Sequence, residues 1–185
     1  PSMRHAAGPR RELGVRTVFN LLGPLTNPAG ADRQLLGVFD REKTELMASV
    51  LRELGASRAM VVGGHDGLDE ISLSAPTRVT ELKDGVLKTY DITPDDLGLR
   101  ECRIEDIVGG DAEENAETIR VVFSGRKGPH RDIVLANAGA CFYVAGLSGT
   151  LQEGVKRAAD AIDSGAAMAK LEQLVKTTEA LAHVS

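Results

Sequence analysis

Cysteine, uninterrupted apolar sequence and surplus positive charge are all scarce in this chain, and each scarcity removes a class of function. Two cysteines, Cys102 and Cys141, in 185 residues are too few for a disulfide framework or a cysteine-built metal cluster, so reduced thiols are the simpler expectation. The most apolar run, Ile133 to Leu147, contains Asn137 and falls short of the about 20 apolar residues a bilayer span needs. Nothing at Pro1 resembles a signal peptide. A formal net charge of −5 argues against non-specific nucleic-acid binding, which needs a basic stripe to neutralise phosphates. No Ser-His-Asp, Cys-His or zinc-type arrangement is present, and no internal repeat or low-complexity tract. A soluble, cytoplasmic protein is the expectation, with 42% hydrophobic residues to build one good core.

What is present reads as alternating strands and helices. Residues 2–13 favour helix, with Met3, Ala6, Ala7, Arg10 and Leu13 near one face and Gly8-Pro9 as a kink or break. Thr17 to Leu22 fits a short apolar helix that stops at Gly23-Pro24, because Pro24 lacks an amide hydrogen and restricts its neighbour. Thr26-Asn27-Pro28 reads as a second turn. Gln34 to Phe39 is expected as a buried strand, and Asp40 as the cap of a helix with Leu46, Met47, Val50, Leu51 and Leu54 inward and Gly55 as its stop. Arg58 to Val62 follows as a second strand, and this β-α-β order predicts parallel pairing. Thr77–Leu82 and Val86–Tyr90 predict a hairpin turning at Asp84-Gly85. Ile104 to Val108 is at best a helical turn. Three more helices are expected: one from Ala112 capped by Asp111, a central buried one over Arg131 to Ala145, and one capped by Thr150 with Glu153. A last helix runs from Ala166 to about Ala182 after the break at Asp163-Ser164-Gly165. The fold class expected is α/β: a mixed, largely parallel sheet flanked by helices, with a partial small helical domain over residues 1–28 and the α/β domain over 29–185.

Asp69-Glu70 is the strongest chemical candidate. It sits in a glycine-rich loop behind a buried strand, where open α/β sheets usually bind ligands. Adjacent carboxylates on a loop can both face one hard cation; on a regular strand they would point oppositely. Mg²⁺ is typically held by one or two carboxylates plus substrate phosphates. A solvated acidic turn fits the same residues, and spacing alone favours it, since two carboxylates are a weak motif. Arg4, Arg10, Arg11 and Arg16 cluster with His5, fitting either a solvated helix face or contact with a small anion. The rigid Gly23-Pro24 corner reads as an ordinary turn on spacing alone. Asp111, Glu114 and Asn115 are explained by helix capping, and His65 by a surface loop. His5, His130 and His183 lack ligand-spaced partners and receive no role.

Arg10-Arg11-Glu12-Leu13-Gly14, the Arg16–Pro28 run, Asp66-Gly67-Leu68-Asp69-Glu70, Gly109-Gly110-Asp111-Ala112-Glu113-Glu114-Asn115-Ala116 and Gly165-Ala166-Ala167 together resemble the anthranilate phosphoribosyltransferase family of tryptophan biosynthesis. The likeness runs in order along almost the whole chain and corresponds to the family's C-terminal portion. It implies that Asp69 and Glu70 bind Mg²⁺ on the diphosphate of phosphoribosyl diphosphate. It also implies that Arg10 binds anthranilate and that Gly23 and Pro24 border the anthranilate channel; Met3, two turns before Arg10 on the same helix face, fits either the lining of that channel or the core. A cytoplasmic homodimer is implied for the complete protein, with no nucleic-acid or membrane partner. One departure is the strand exit: Gly63-Gly64-His65 stands where the family often has His-Gly. The family's Gly-Thr-Gly-Gly-Asp diphosphate loop and Lys-His-Gly-Asn element have no counterpart here. Gly63-Gly64 and Gly109-Gly110 lack the spacing to replace them. The fragment alone is therefore expected to be inactive. Rival readings are a pyrimidine-nucleoside phosphorylase-like enzyme, which needs no acidic metal pair, and a non-catalytic binding or oligomerisation module of the same fold.

Overall fold

A computed structural model describes residues 23–25 and 30–182. The helices expected over residues 2–13 and 17–22 lie outside the described residues, as does the expected 1–28 domain apart from its segment 23–25. Gly23–Leu25 forms a single 3-10 turn, and Leu25 packs on the core. Strand β1 (Arg33–Gly37), helix α1 (Thr44–Glu53), strands β2 (Arg58–Gly64), β3 (Thr77–Lys83) and β4 (Val86–Ile92) follow. Helices α2 (Ala112–Phe123), α3 (Pro129–Val144), α4 (Leu151–Asp163) and α5 (Ala166–Ala182) complete the order.

The four strands lie in sequence order in one mixed sheet. β1 and β2 pair in parallel with Leu36 opposite Val61, as the β-α-β reading predicts. The β2–β3 and β3–β4 pairings are antiparallel, so the parallel share of the described sheet is one pairing. The hairpin turns at Asp84-Gly85, whose φ values of 51° and 76° are both left-handed, as a tight hairpin turn requires.

β2 explains the layering. Ala59, Met60, Val61 and Val62 are all essentially buried, so this strand is covered on both faces and needs apolar residues throughout. Alternation sends Ala59 and Val61 toward α1, where they meet Met47, Ala48 and Leu51. It sends Met60 and Val62 to the other face, against Leu135, Ala136 and Ala140 of α3 and, beyond them, Val155, Ala158 and Ile162 of α4. α3 is thus the central buried helix the apolar run predicts. Its buried charged residue is Arg131, which is 5% exposed and makes two bonds to Asp163, Nη1 to Oδ1 at 2.6 Å and Nη2 to Oδ2 at 2.9 Å. This fork ties the start of α3 to the end of α4. No helix among the described residues is long and apolar enough to cross a membrane.

Two local expectations need correction. The inward stripe of α1 is Thr44, Met47, Ala48 and Leu51, whereas Leu46 and Leu54 are exposed. Asp40 caps a separate 3-10 turn, Arg41–Lys43, so α1 itself begins at Thr44 and its i, i+3, i+4, i+7 face starts there. Leu46 lies off that face, and Leu54 stands at the C-cap, past the packed turns. At α4, Thr150 does accept the Glu153 amide, but the Glu153 carboxylate bonds the Gly149 amide at 2.7 Å rather than closing a reciprocal box with Thr150.

Candidate active site

Parallel pairing places the carboxyl ends of β1 and β2 side by side, with Gly37 opposite Val62. The chain leaving β2 at Gly64 folds back over these ends before entering β3 at Thr77. Its compactness follows from bonds that its own residues can make. Gly64 N–H donates to the Leu68 carbonyl at 2.8 Å, and His65 N–H to the Pro76 carbonyl at 2.9 Å. Asp66 Oδ1 accepts the Leu68 amide at 3.2 Å, while Oδ2 accepts the Ser72 hydroxyl at 2.5 Å and the Ser74 hydroxyl. Ile71 and Leu73 are buried in the core beneath, and Cys102 N–H donates to the Leu73 carbonyl at 3.0 Å.

Asp69 and Glu70 form the outer part of this loop, Asp69 exposed and Glu70 half-buried. Their placement depends on two residues that motif reading did not select. Gly37 is the first. A Cβ built there would fall 1.6 Å from the Asp69 carbonyl oxygen, so the loop rests directly on the end of β1. The available sequence signal was a glycine closing an apolar strand. The second is Asn137 on α3, whose Nδ2 donates to Glu70 Oε2 at 3.2 Å. Its signal was a lone amide in the most apolar stretch of the chain.

The electrostatics single out Glu70. Burial, then the neighbouring charges of Asp69 and Asp66, raise the Glu70 carboxyl above its ordinary value. Burial would raise Asp66 too, but the bonds from Ser72, Ser74 and the Leu68 amide outweigh it and hold that carboxyl low. Among the described residues no lysine or arginine pairs with Asp69 or Glu70. Nor do three or more His, Cys, Asp or Glu side chains among them gather into a complete metal cage. Two adjacent oxygen ligands, one carrying uncompensated repulsion, fit a hard divalent cation that takes its remaining ligands from water and substrate.

His65 contacts Asp91 on the surface, Nε2 to Oδ2 at 3.3 Å. Gly23 is exposed on its 3-10 turn. Arg10, Met3 and the Pro24 side chain lie outside the described residues, so the acceptor half of the expected site is not described. A groove of about 850 Å³ between α2 and α5, lined by Ile119, Val121, Leu171 and Val175 among others, shares no residue with the acidic loop.

Residues 1–168 match the model of the glycosyl transferase family, a/b domain. The anthranilate phosphoribosyltransferase of Syntrophotalea carbinolica is 50% identical over 178 residues, covering 96% of this chain and 51% of its own length. The crystal structure of anthranilate phosphoribosyltransferase from Thermus thermophilus superposes with a TM-score of 0.87 at 49% identity, covering 95% of this chain and 52% of that one. The Saccharomyces cerevisiae enzyme, solved in complex with PRPP and Mg, gives a TM-score of 0.85 at 29% identity, with 96% and 52% covered. The chain thus spans about half the length of the curated relatives it matches. A mixed sheet between helices, an acidic loop over the ends of its parallel strands and a family match over nine-tenths of the sequence lead to one statement: this chain belongs to the glycosyl transferase family, in its a/b domain, and its relatives there are anthranilate phosphoribosyltransferases.

Proposed function

We propose that this chain supplies the metal-binding side of the donor site, and part of the acceptor site, of an enzyme that transfers the phosphoribosyl group from phosphoribosyl diphosphate to anthranilate in tryptophan biosynthesis. The observation that carries the reading is the Asp69-Glu70 pair, held at the carboxyl ends of a parallel strand pair with no lysine or arginine paired to it among the described residues. In the reaction the anthranilate amine forms a bond to the ribose C1 carbon as the C1–oxygen bond to diphosphate breaks, and the amine's proton is released. Asp69 and Glu70 would hold Mg²⁺, which when bound would supply positive charge to offset that on the departing diphosphate. Arg10 offers a planar guanidinium fork to the anthranilate carboxylate, with Gly23, Pro24 and Met3 along the acceptor channel. No side chain acts as a covalent nucleophile; positioning and electrostatics supply the catalysis.

The yeast relative's complex with PRPP and Mg supports the donor side of this assignment. Names shared by the relatives favour it over the phosphorylase reading. The complete protein is taken to be a cytoplasmic homodimer, which size-exclusion chromatography checks. The test of function is the rate of phosphoribosyl transfer by the full-length protein against Mg²⁺ concentration, for the native sequence and for Asp69→Ala with Glu70→Ala. Loss of turnover in the double variant is expected, and unchanged Mg²⁺ dependence would reject the assignment. The 185-residue chain alone is expected to show no appreciable turnover.

A further inference from the structure

We propose that Asn137 is a positioning residue for the cation site: through its side-chain amide, α3 fixes the orientation of the Glu70 carboxylate. The inference rests on the reading that Asp69 and Glu70 bind the divalent ion.

Asn137 interrupts an apolar helix, where an amide is costly unless its hydrogen-bonding capacity is met. Four bonds involve it, three of them with the acidic loop, and its two Nδ2 hydrogens are shared among three acceptors. Oδ1 accepts the Ile71 amide at 2.9 Å, and Nδ2 donates to the Ile71 carbonyl at 3.1 Å. Nδ2 also reaches the Ile133 carbonyl, one turn back on α3, at 3.1 Å and Glu70 Oε2 at 3.2 Å. The two Ile71 bonds clamp the backbone at the residue after Glu70, as a strand partner would. They alone would account for an asparagine with a purely structural role. The bond to Oε2 goes further, because it reaches the side chain that would bind metal and leaves Oε1 without a hydrogen-bond donor among the described residues.

The chemistry of the residue type fits this task. A lysine or arginine at the same place would orient Glu70 but also neutralise it, and so compete with the cation. A neutral amide orients the carboxylate while leaving its charge available. Partners of this kind, bonded to a metal ligand rather than to the metal, typically change metal affinity by about 10–100-fold when removed. α3 is itself fixed by the core contacts of Leu135, Ala136 and Ala140 and by the Arg131–Asp163 fork. The Glu70 carboxylate is therefore referenced to a helix packed in the core rather than to its own loop.

A double-mutant cycle in the full-length protein tests this, reading Mn²⁺ affinity by electron paramagnetic resonance in the presence of phosphoribosyl diphosphate. Asn137→Ala is expected to weaken Mn²⁺ binding about tenfold or more in the native background, and to add nothing once Glu70→Ala is present. Should Asn137→Ala fail to fold, Asn137→Ser replaces it under the same expectation, since a serine hydroxyl can return to the Ile133 carbonyl. Native Mn²⁺ affinity in the Asn137 variant, or an equal loss with and without Glu70, would overturn the positioning role. If Glu70→Ala itself left Mn²⁺ affinity unchanged, the cation site would fall, and the positioning role with it.

Discussion

Two acidic clusters look alike in this sequence and differ in what surrounds them. In Asp111-Ala112-Glu113-Glu114-Asn115 the polar side chains turn back on their own helix. Asp111 Oδ1 accepts the amides of Glu113 and Glu114 at 2.9 and 3.0 Å, and Glu114 Oε2 accepts the Asp111 amide at 3.0 Å. Asn115 closes on Gly110 through both ends of its amide. In Asp66-Gly67-Leu68-Asp69-Glu70 only Asp66 behaves this way. Asp69 and Glu70 are held instead by elements remote in sequence, Gly37 beneath the backbone and Asn137 beside the carboxylate. A cluster that solves its own hydrogen bonding is a cap. A cluster held by the rest of the fold, with no lysine or arginine paired to it among the described residues, is the one proposed as the site.

The sharpest way to break this contrast is to disable each cluster in turn. In the full-length protein, Asp69→Ala with Glu70→Ala should lower Mg²⁺-dependent phosphoribosyl transfer by on the order of 10²–10³-fold, the scale seen when transition-state charge loses its stabilising partner. Its unfolding midpoint should stay near that of the native protein. Initial rates against Mg²⁺, with thermal unfolding in parallel, decide this.

Next in size is Gly37→Ala. The methyl group cannot coexist with the Asp69 carbonyl, so the loop must lift from β1. A cost of about 1–3 kcal/mol in stability is expected. It should be accompanied by weaker Mn²⁺ binding, which calorimetric titration reports; normal binding would show that the close approach does not matter to the site.

Asp111→Ala should remove about 1 kcal/mol by uncapping α2. Denaturant unfolding measures that loss, and the Mg²⁺ dependence of turnover should not move. A change in Mg²⁺ dependence would mean that the two clusters are not distinct in kind.

The smallest effect concerns pH. The Glu70 carboxyl is raised in the folded protein, first by burial and then by Asp69 and Asp66. The unfolded chain therefore releases this proton at lower pH than the folded one. Stability is lost as pH rises from the ordinary carboxylate value through the raised one. Glu70→Gln abolishes the loss, so in metal-free buffer the variant should have a slightly higher Tm than the native chain at neutral pH. The difference should vanish below the ordinary carboxylate range. Because Glu70 is only half-buried, solvent keeps the effect modest. A variant less stable at neutral pH would contradict the charge repulsion inferred here.

Much of this was legible in the sequence where the cause is local. Asp84-Gly85 predicts its hairpin because both residues tolerate left-handed angles, and Asp111 with Glu114 predicts its capping box because the partners are three residues apart. The pattern from Gln34 through Val62 predicts a parallel pair, since a helix separates two apolar strands. Legibility ends where the cause is long-range. Nothing near Gly37 announces that residue 69 will lie on it. Asn137 reads as a break in an apolar run until Ile71 and Glu70 are seen beside it. The stripe of α1 differs from the expected one for a smaller reason, the insertion of one 3-10 turn between cap and helix. The adjacency of Asp69 and Glu70 is visible in the sequence, but the rise of the Glu70 carboxyl comes first from burial that only packing creates.

The most direct measurement is a crystal structure of the full-length protein grown with Mn²⁺ and diphosphate, read by anomalous scattering at the manganese edge. The account predicts an anomalous peak within bonding distance of carboxylate oxygens of both Asp69 and Glu70 and of a diphosphate oxygen. A manganese site on the diphosphate with both carboxylates turned away from it would contradict the account.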